Sequence, residues 1–145
     1  MKIGIANDHH GVEVKQNVTK KLIELGYNVV DYGTDSSEMV DYPFYAFKVG
    51  EAVVKKEIDF GILFCSSGIG MSIACNKVKG VRCGRVSSIK DTIATRKDND
   101  ANIIAFSGEI NAERALRIIE EFINTEFNSD ERHLRRINII SKYER

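Results

Sequence analysis

Apolar residues recur along this chain in two rhythms. Short apolar runs mark buried strands, and apolar positions three or four apart mark helix faces. Residues 2–6, 27–32, 58–65, 81–86 and 102–106 read as five strands. Helical spacing fills the gaps between them. Val14, Val18, Leu22 and Leu25 make the first helix face, which Gly26 stops. Pro43 opens a second helix with Tyr45, Val49, Ala52 and Val53 on its apolar side. A third carries Met71, Ile73 and Ala74 and ends near Lys79-Gly80. A fourth, of mixed character, covers about 89–97. Asn111 caps the fifth, whose buried stripe is Ala115, Ile118, Ile119 and Phe122. Asn128-Ser129-Asp130 breaks the chain before a last, basic helix over about 131–143.

Strand and helix alternate five times, which predicts an α/β fold: a five-stranded parallel sheet with helices on both faces, and a C-terminal helix. The 145 residues, without repeat or linker, suit a single domain over 1–145. Twenty-one basic and 21 acidic residues give a formal net charge of +0, which argues against a broad nucleic-acid surface. No apolar run approaches the ~20 residues of a membrane helix. The first strand begins without the long apolar region of a signal peptide, so a cytoplasmic protein without membrane contact is expected. Cys65, Cys75 and Cys83 fit neither a disulfide framework nor a common zinc spacing, and the last two read as small core residues.

Ligands of such folds bind at the carboxyl ends of the strands. There the third strand ends in Cys65-Ser66-Ser67-Gly68-Ile69-Gly70. A glycine-rich turn between strand and helix leaves amides free to hold an anion or a developing oxyanion, and such amides favour a neighbouring thiolate. A tight turn beside a buried thiol is the plain alternative. A dinucleotide fingerprint would follow the first strand, where the chain instead has Asp8-His9-His10-Gly11. That turn either caps the first helix or, with His9 as proton shuttle, faces Cys65. Arg132 and Arg136, four apart, are either a solvated face or a phosphate clamp. A cysteine base beside an oxyanion nest suits proton transfer next to the carbonyl of a small phosphorylated molecule.

Asp8-His9-x-Gly11, Asp31-Tyr32-Gly33-Thr34, Asp41-Tyr42-Pro43, Gly61-Ile62-Leu63-Phe64-Cys65, Ser67-Gly68-x-Gly70, Ala74-x-Asn76-Lys77, Asn99-Asp100-Ala101-Asn102 and Arg132-His133-x-x-Arg136 follow in order. The set resembles the ribose-5-phosphate isomerase B / galactose-6-phosphate isomerase family. The resemblance implies a Rossmann-like three-layer sandwich, a homodimer or tetramer with active sites at the subunit interface, and aldose–ketose isomerisation of a sugar phosphate through a cis-enediolate, without cofactor or metal. Ribose 5-phosphate/ribulose 5-phosphate, in the pentose phosphate pathway, is the first candidate pair. Cys65 is then the base, Ser67 moves the O1/O2 proton, and Asp8 and His9 contact the sugar. Ser66, Gly68, Ile69 and Gly70 hold the enediolate, Arg132, His133 and Arg136 bind phosphate, and Asn99 lines the site. Three positions depart from the pattern. Ser66 replaces a glycine. Asp98 replaces the histidine assigned to ring opening, a role open to Asp98 or to the extra His10. Glu109 replaces an arginine that often reaches the phosphate from the neighbouring subunit. Alternatives are an isomerase of another sugar phosphate, of galactose 6-phosphate or allose 6-phosphate type, a non-catalytic phosphosugar-binding subunit, and a flavodoxin-like nucleotide binder.

Overall fold

The computed structural model describes residues 1–144. Five strands form one all-parallel sheet: β1 (Lys2–Asn7), β2 (Asn28–Asp31), β3 (Phe60–Cys65), β4 (Cys83–Arg85) and β5 (Ile103–Ser107), in the spatial order β2-β1-β3-β5-β4. The helices are α1 (Val12–Glu24), α2 (Tyr42–Val54), α3 (Ile69–Cys75), α4 (Ile89–Asn99), α5 (Ala112–Asn124) and α6 (Glu131–Tyr143). The strand order turns back at β1, so the crevice at the carboxyl ends of β1 and β3 is the topological switch point.

Alternation along the strands builds two cores. Ile3, Ile5, Ile62, Phe64, Ile104 and Phe106 face Val14, Val18 and Leu22 of α1 and Ala115, Ile118, Ile119 and Phe122 of α5. Ala6, Leu63, Cys65, Ile103 and Ala105 face Ala46, Val49 and Val53 of α2 and Met71 and Cys75 of α3. Cys65 therefore points toward the α2/α3 side. Among the described residues no helix is long and apolar enough to cross a membrane.

The caps follow the sequence. Asn111 Oδ1 accepts from the Arg114 amide at 2.8 Å, and Asp130 Oδ1 from the His133 amide at 2.9 Å. Gly26, at φ +95, ends the first helix one residue after Leu25. Three details differ from expectation. Leu25 is exposed rather than packed. Helix α3 stops at Cys75, because the Asn76 side chain turns to the chain ahead: its Nδ2 donates to the Cys83 carbonyl at 2.9 Å, and its Oδ1 accepts from the Cys83 amide at 2.8 Å. Cys75 is a buried core residue as expected, but Cys83 is only half-buried. Burial and a hydrogen bond with Cys83, the latter the larger effect, push the Cys75 thiol up.

The loop over 33–41 is tied down by a buried cation. Lys15, 1% exposed, places Nζ 2.9 Å from Asp31 Oδ2, 2.6 Å from Asp35 Oδ1 and 2.9 Å from the Thr34 carbonyl. The Asn7 side chain donates to the same carbonyl at 2.9 Å. The Lys15 contact, largest as a hydrogen bond, draws Asp35 below its ordinary carboxylate value. Lys15→Met removes every donor of that ammonium while leaving the aliphatic stem packed. It should lower unfolding stability by about 2 kcal/mol. Denaturant unfolding checks this, and amide exchange over 34–41 should rise with it.

Candidate active site

The site grows from the end of β3. The chain leaves Cys65 and reverses through Ser66, Ser67 and Gly68 into α3. Gly68 sits at φ +80, in the left-handed region. A Cβ there would lie 2.6 Å from Phe106 Cα and 2.7 Å from Phe106 N on β5, so the position excludes a side chain on conformation and on space. The turn presents the Gly68 amide to Cys65 Sγ at 3.1 Å. The Ile69 amide donates to Ser67 Oγ at 3.2 Å. The Ser66 carbonyl accepts from Ser107 Oγ at 2.8 Å, and the Ser67 carbonyl from Arg85 Nε at 3.1 Å. The Gly108 amide donates to the Cys65 carbonyl at 2.6 Å. The amides of Ser66 and Ser67 donate to nothing among the described residues.

The Asp8 turn joins this group from β1. The Asp8 amide donates to the Phe64 carbonyl at 3.1 Å, and with Asn7 opposite Phe64 this sets Asp8 level with Cys65 across the sheet. Asp8 is 4% exposed, so it is no solvated turn residue. Nor does it cap α1: the cap position is Gly11, without a side-chain bond. Instead Asp8 Oδ1 accepts from the His10 amide at 2.9 Å, and Oδ2 lies 3.4 Å from His10 Nδ1. His9 Nδ1 accepts from the Val40 amide at 3.3 Å, which links the turn to the loop that Lys15 holds. The Asp8, His9 and His10 ligand atoms lie within 4.8 Å of one another, a set able to hold a metal ion. In this geometry the bonds to Val40 and within the turn occupy part of that set.

The other residues expected in the site form a second group. Asp98 and Asn99 end α4, where the Asn99 carbonyl accepts from Arg82 Nε at 2.9 Å ahead of β4. That is the amino end of the sheet. At a rise of ~3.3 Å per residue, the six residues of β3 put roughly 17 Å between the two ends. His133 is buried and donates from Nδ1 to the Asn128 carbonyl at 2.9 Å. Its Nε2 faces Asp98 Oδ1 and Arg132 Nη2, each at 3.5 Å. Arg132 and Arg136 are exposed on α6. Glu109 lies on the Cys65 side instead, past the end of β5, lining a cavity of about 410 Å³ with Arg85, Ser107 and Arg114. Its amide donates to Ser107 Oγ at 3.1 Å, and its carboxylate makes no ion pair among the described residues.

So one chain brings together Asp8, His9, Cys65, Ser66, Ser67, Gly68, Ile69 and Gly70. Asp98, Asn99, Arg132, His133 and Arg136 lie apart. Sequence reading missed Ser107 and Arg85, which hold the two loop carbonyls. Both stand at carboxyl strand ends, the one signal that pointed to them.

The chain matches the Ribose/Galactose Isomerase family over residues 3–140. It is 38% identical over 144 residues to ribose-5-phosphate isomerase B of Escherichia coli, covering 99% of this chain and 96% of that protein. The Clostridium thermocellum ribose-5-phosphate isomerase B structure superposes with a TM-score of 0.95 at 40% identity, covering 99% and 97%. A Mycoplasma genitalium ribose-5-phosphate isomerase B structure with bound ribulose 5-phosphate gives 0.93 at 36% identity, covering 99% and 95%.

Two outcomes test this geometry. Gly68→Ala should destabilise the fold by about 2–4 kcal/mol in denaturant unfolding, from left-handed strain plus the clash with Phe106. Asp130 is drawn below its ordinary 3.8, first by the His133 amide and then by the charges of His133 and Arg132. A depressed carboxylate stabilises above the ordinary value and loses that contribution as pH falls through the lower native one. Protection of the His133 amide, taken relative to its intrinsic exchange rate at each pH, should therefore hold from neutrality down to 3.8 and fall only below it.

Proposed function

Because the chain belongs to the ribose/galactose isomerase family, we propose that it is an aldose–ketose isomerase of sugar phosphates, with ribose 5-phosphate and ribulose 5-phosphate as the first pair. The observation that carries the reading is the Gly68 amide on Cys65 Sγ at 3.1 Å, beside the Ser67 hydroxyl and the buried Asp8. Cys65 as thiolate takes the proton from C2 of the open-chain aldose. The electron pair moves into an enediolate, whose negative oxygen the loop amides can meet. Ser67 carries a proton between O1 and O2, and Cys65 returns its proton to C1 to give the ketose. Asp8 and His9 orient the sugar hydroxyls.

The separation of the two charged groups supports a homodimer. A second copy would bring Asp98, Asn99, Arg132, His133 and Arg136 to the Cys65 end, where the guanidiniums would take the phosphate. Exposed Phe44, Ile69, Ile73, Ile139 and Ile140 give such a contact apolar surface.

A second reading keeps the chemistry and changes the sugar. Asp98 faces His133 at 3.5 Å, and an acidic Glu109 lines the cavity near the loop. Both positions favour a substrate with a different ring or phosphate placement.

A coupled assay on ribose 5-phosphate, allose 6-phosphate and galactose 6-phosphate decides between them. Turnover of ribose 5-phosphate supports the first reading, and turnover of a hexose phosphate alone supports the second. Cys65→Ala should cut kcat by about a thousandfold or more with phosphosugar binding retained. Turnover that survives it sinks the mechanism.

A further inference from the structure

The Ser67–Gly68 peptide unit is gripped on both edges. Its carbonyl accepts from Arg85 Nε at 3.1 Å, and its N–H donates to Cys65 Sγ at 3.1 Å. A trans peptide is a rigid plate whose C=O and N–H point to opposite sides. A pull on the carbonyl therefore fixes where the amide aims. The preceding carbonyl, of Ser66, is turned away in the same manner by Ser107 Oγ at 2.8 Å. Arg85 comes from the end of β4, eighteen residues along the chain, and bonds to nothing else among the described residues. Hydrogen bonds in a chain polarise one another. A guanidinium on the carbonyl makes the amide across the plate a better donor to sulfur.

We propose that Arg85 is a positioning residue for the base: through the Ser67–Gly68 peptide it holds the amide donor on Cys65 Sγ and so sustains the thiolate that abstracts the proton. The assignment rests on the isomerase reading of this site, but part of its test does not. Arg85 is exposed at the rim of the cavity it shares with Ser107, Glu109 and Arg114, so its replacement leaves both cores intact.

Arg85→Met and Arg85→Lys are compared with the unaltered protein in two measurements. The first is steady-state isomerisation. Arg85→Met should lower kcat by about tenfold with KM changed less than about twofold, and Arg85→Lys should recover part of the loss, since an ammonium can still donate to the carbonyl. The second is the rate of iodoacetamide addition to Cys65 at one fixed neutral pH, followed on the Cys65 peptide by mass spectrometry. It needs no substrate and should slow by a comparable factor in Arg85→Met. Unchanged alkylation overturns the proposal. So does a raised KM at constant kcat, which would make Arg85 a substrate-binding group. Slowed alkylation in a protein that turns over no sugar phosphate would keep the role of Arg85 and remove the isomerase reading instead.

Discussion

The left-handed turn at Gly68 is the constraint on which this structure depends. A parallel strand buried between two helical layers must hand its chain to a helix within a few residues, over a neighbouring strand. Here the reversal presses the turn against the Phe106 backbone, a contact only glycine allows. With the turn fixed there, its amide meets the Cys65 sulfur, its carbonyls meet Ser107 and Arg85, and α3 starts under the α2 layer. The left-handed conformation and the chemistry of the thiol are one requirement.

That requirement also explains why the Asp8 turn lies where it does. Adjacent β1 and β3 end in step, with Asn7 opposite Phe64, so the chain leaving each strand emerges into the same crevice. Asp8 is buried there and spends its oxygens on His10, while His9 reaches across to Val40. The 33–41 loop is in turn anchored through Thr34 to Lys15 and Asn7. The histidine at the crevice is thus oriented by a loop whose own position is set by a cation buried beneath it.

Most of the fold was legible because periodicity reports burial. The run over 60–65 has no charged residue to expose, and the α5 stripe of Ala115, Ile118, Ile119 and Phe122 lies in the core as its spacing indicates. Cys65, Ser67 and Gly68 were legible because a strand-turn-helix signal localises free amides. What stayed hidden was long-range. Arg85 meets Ser67 across eighteen residues and Ser107 meets Ser66 across forty-one, and beyond their places at carboxyl strand ends nothing local marks either partner. The burial of Asp8 and Lys15 was equally hidden, since charged types in polar segments read as surface. Asp98, Asn99 and His133 were named as candidates from motif, and Arg132 and Arg136 from motif and helical spacing, and neither signal carries information about which end of a sheet a residue occupies.

The Asn76 amide has a consequence for the behaviour of the sheet itself. β4 is an edge strand, and its groups facing away from β5 are those of Cys83 and Arg85. Asn76 answers both groups of Cys83, imitating one residue of a sixth strand. An incoming extended peptide finds only Arg85 to pair with, and that residue carries a charge. Edge strands left open recruit foreign strands into aggregates. In this chain a single carboxamide, placed where the third helix gives out, terminates the ladder and keeps that border of the sheet from becoming a template.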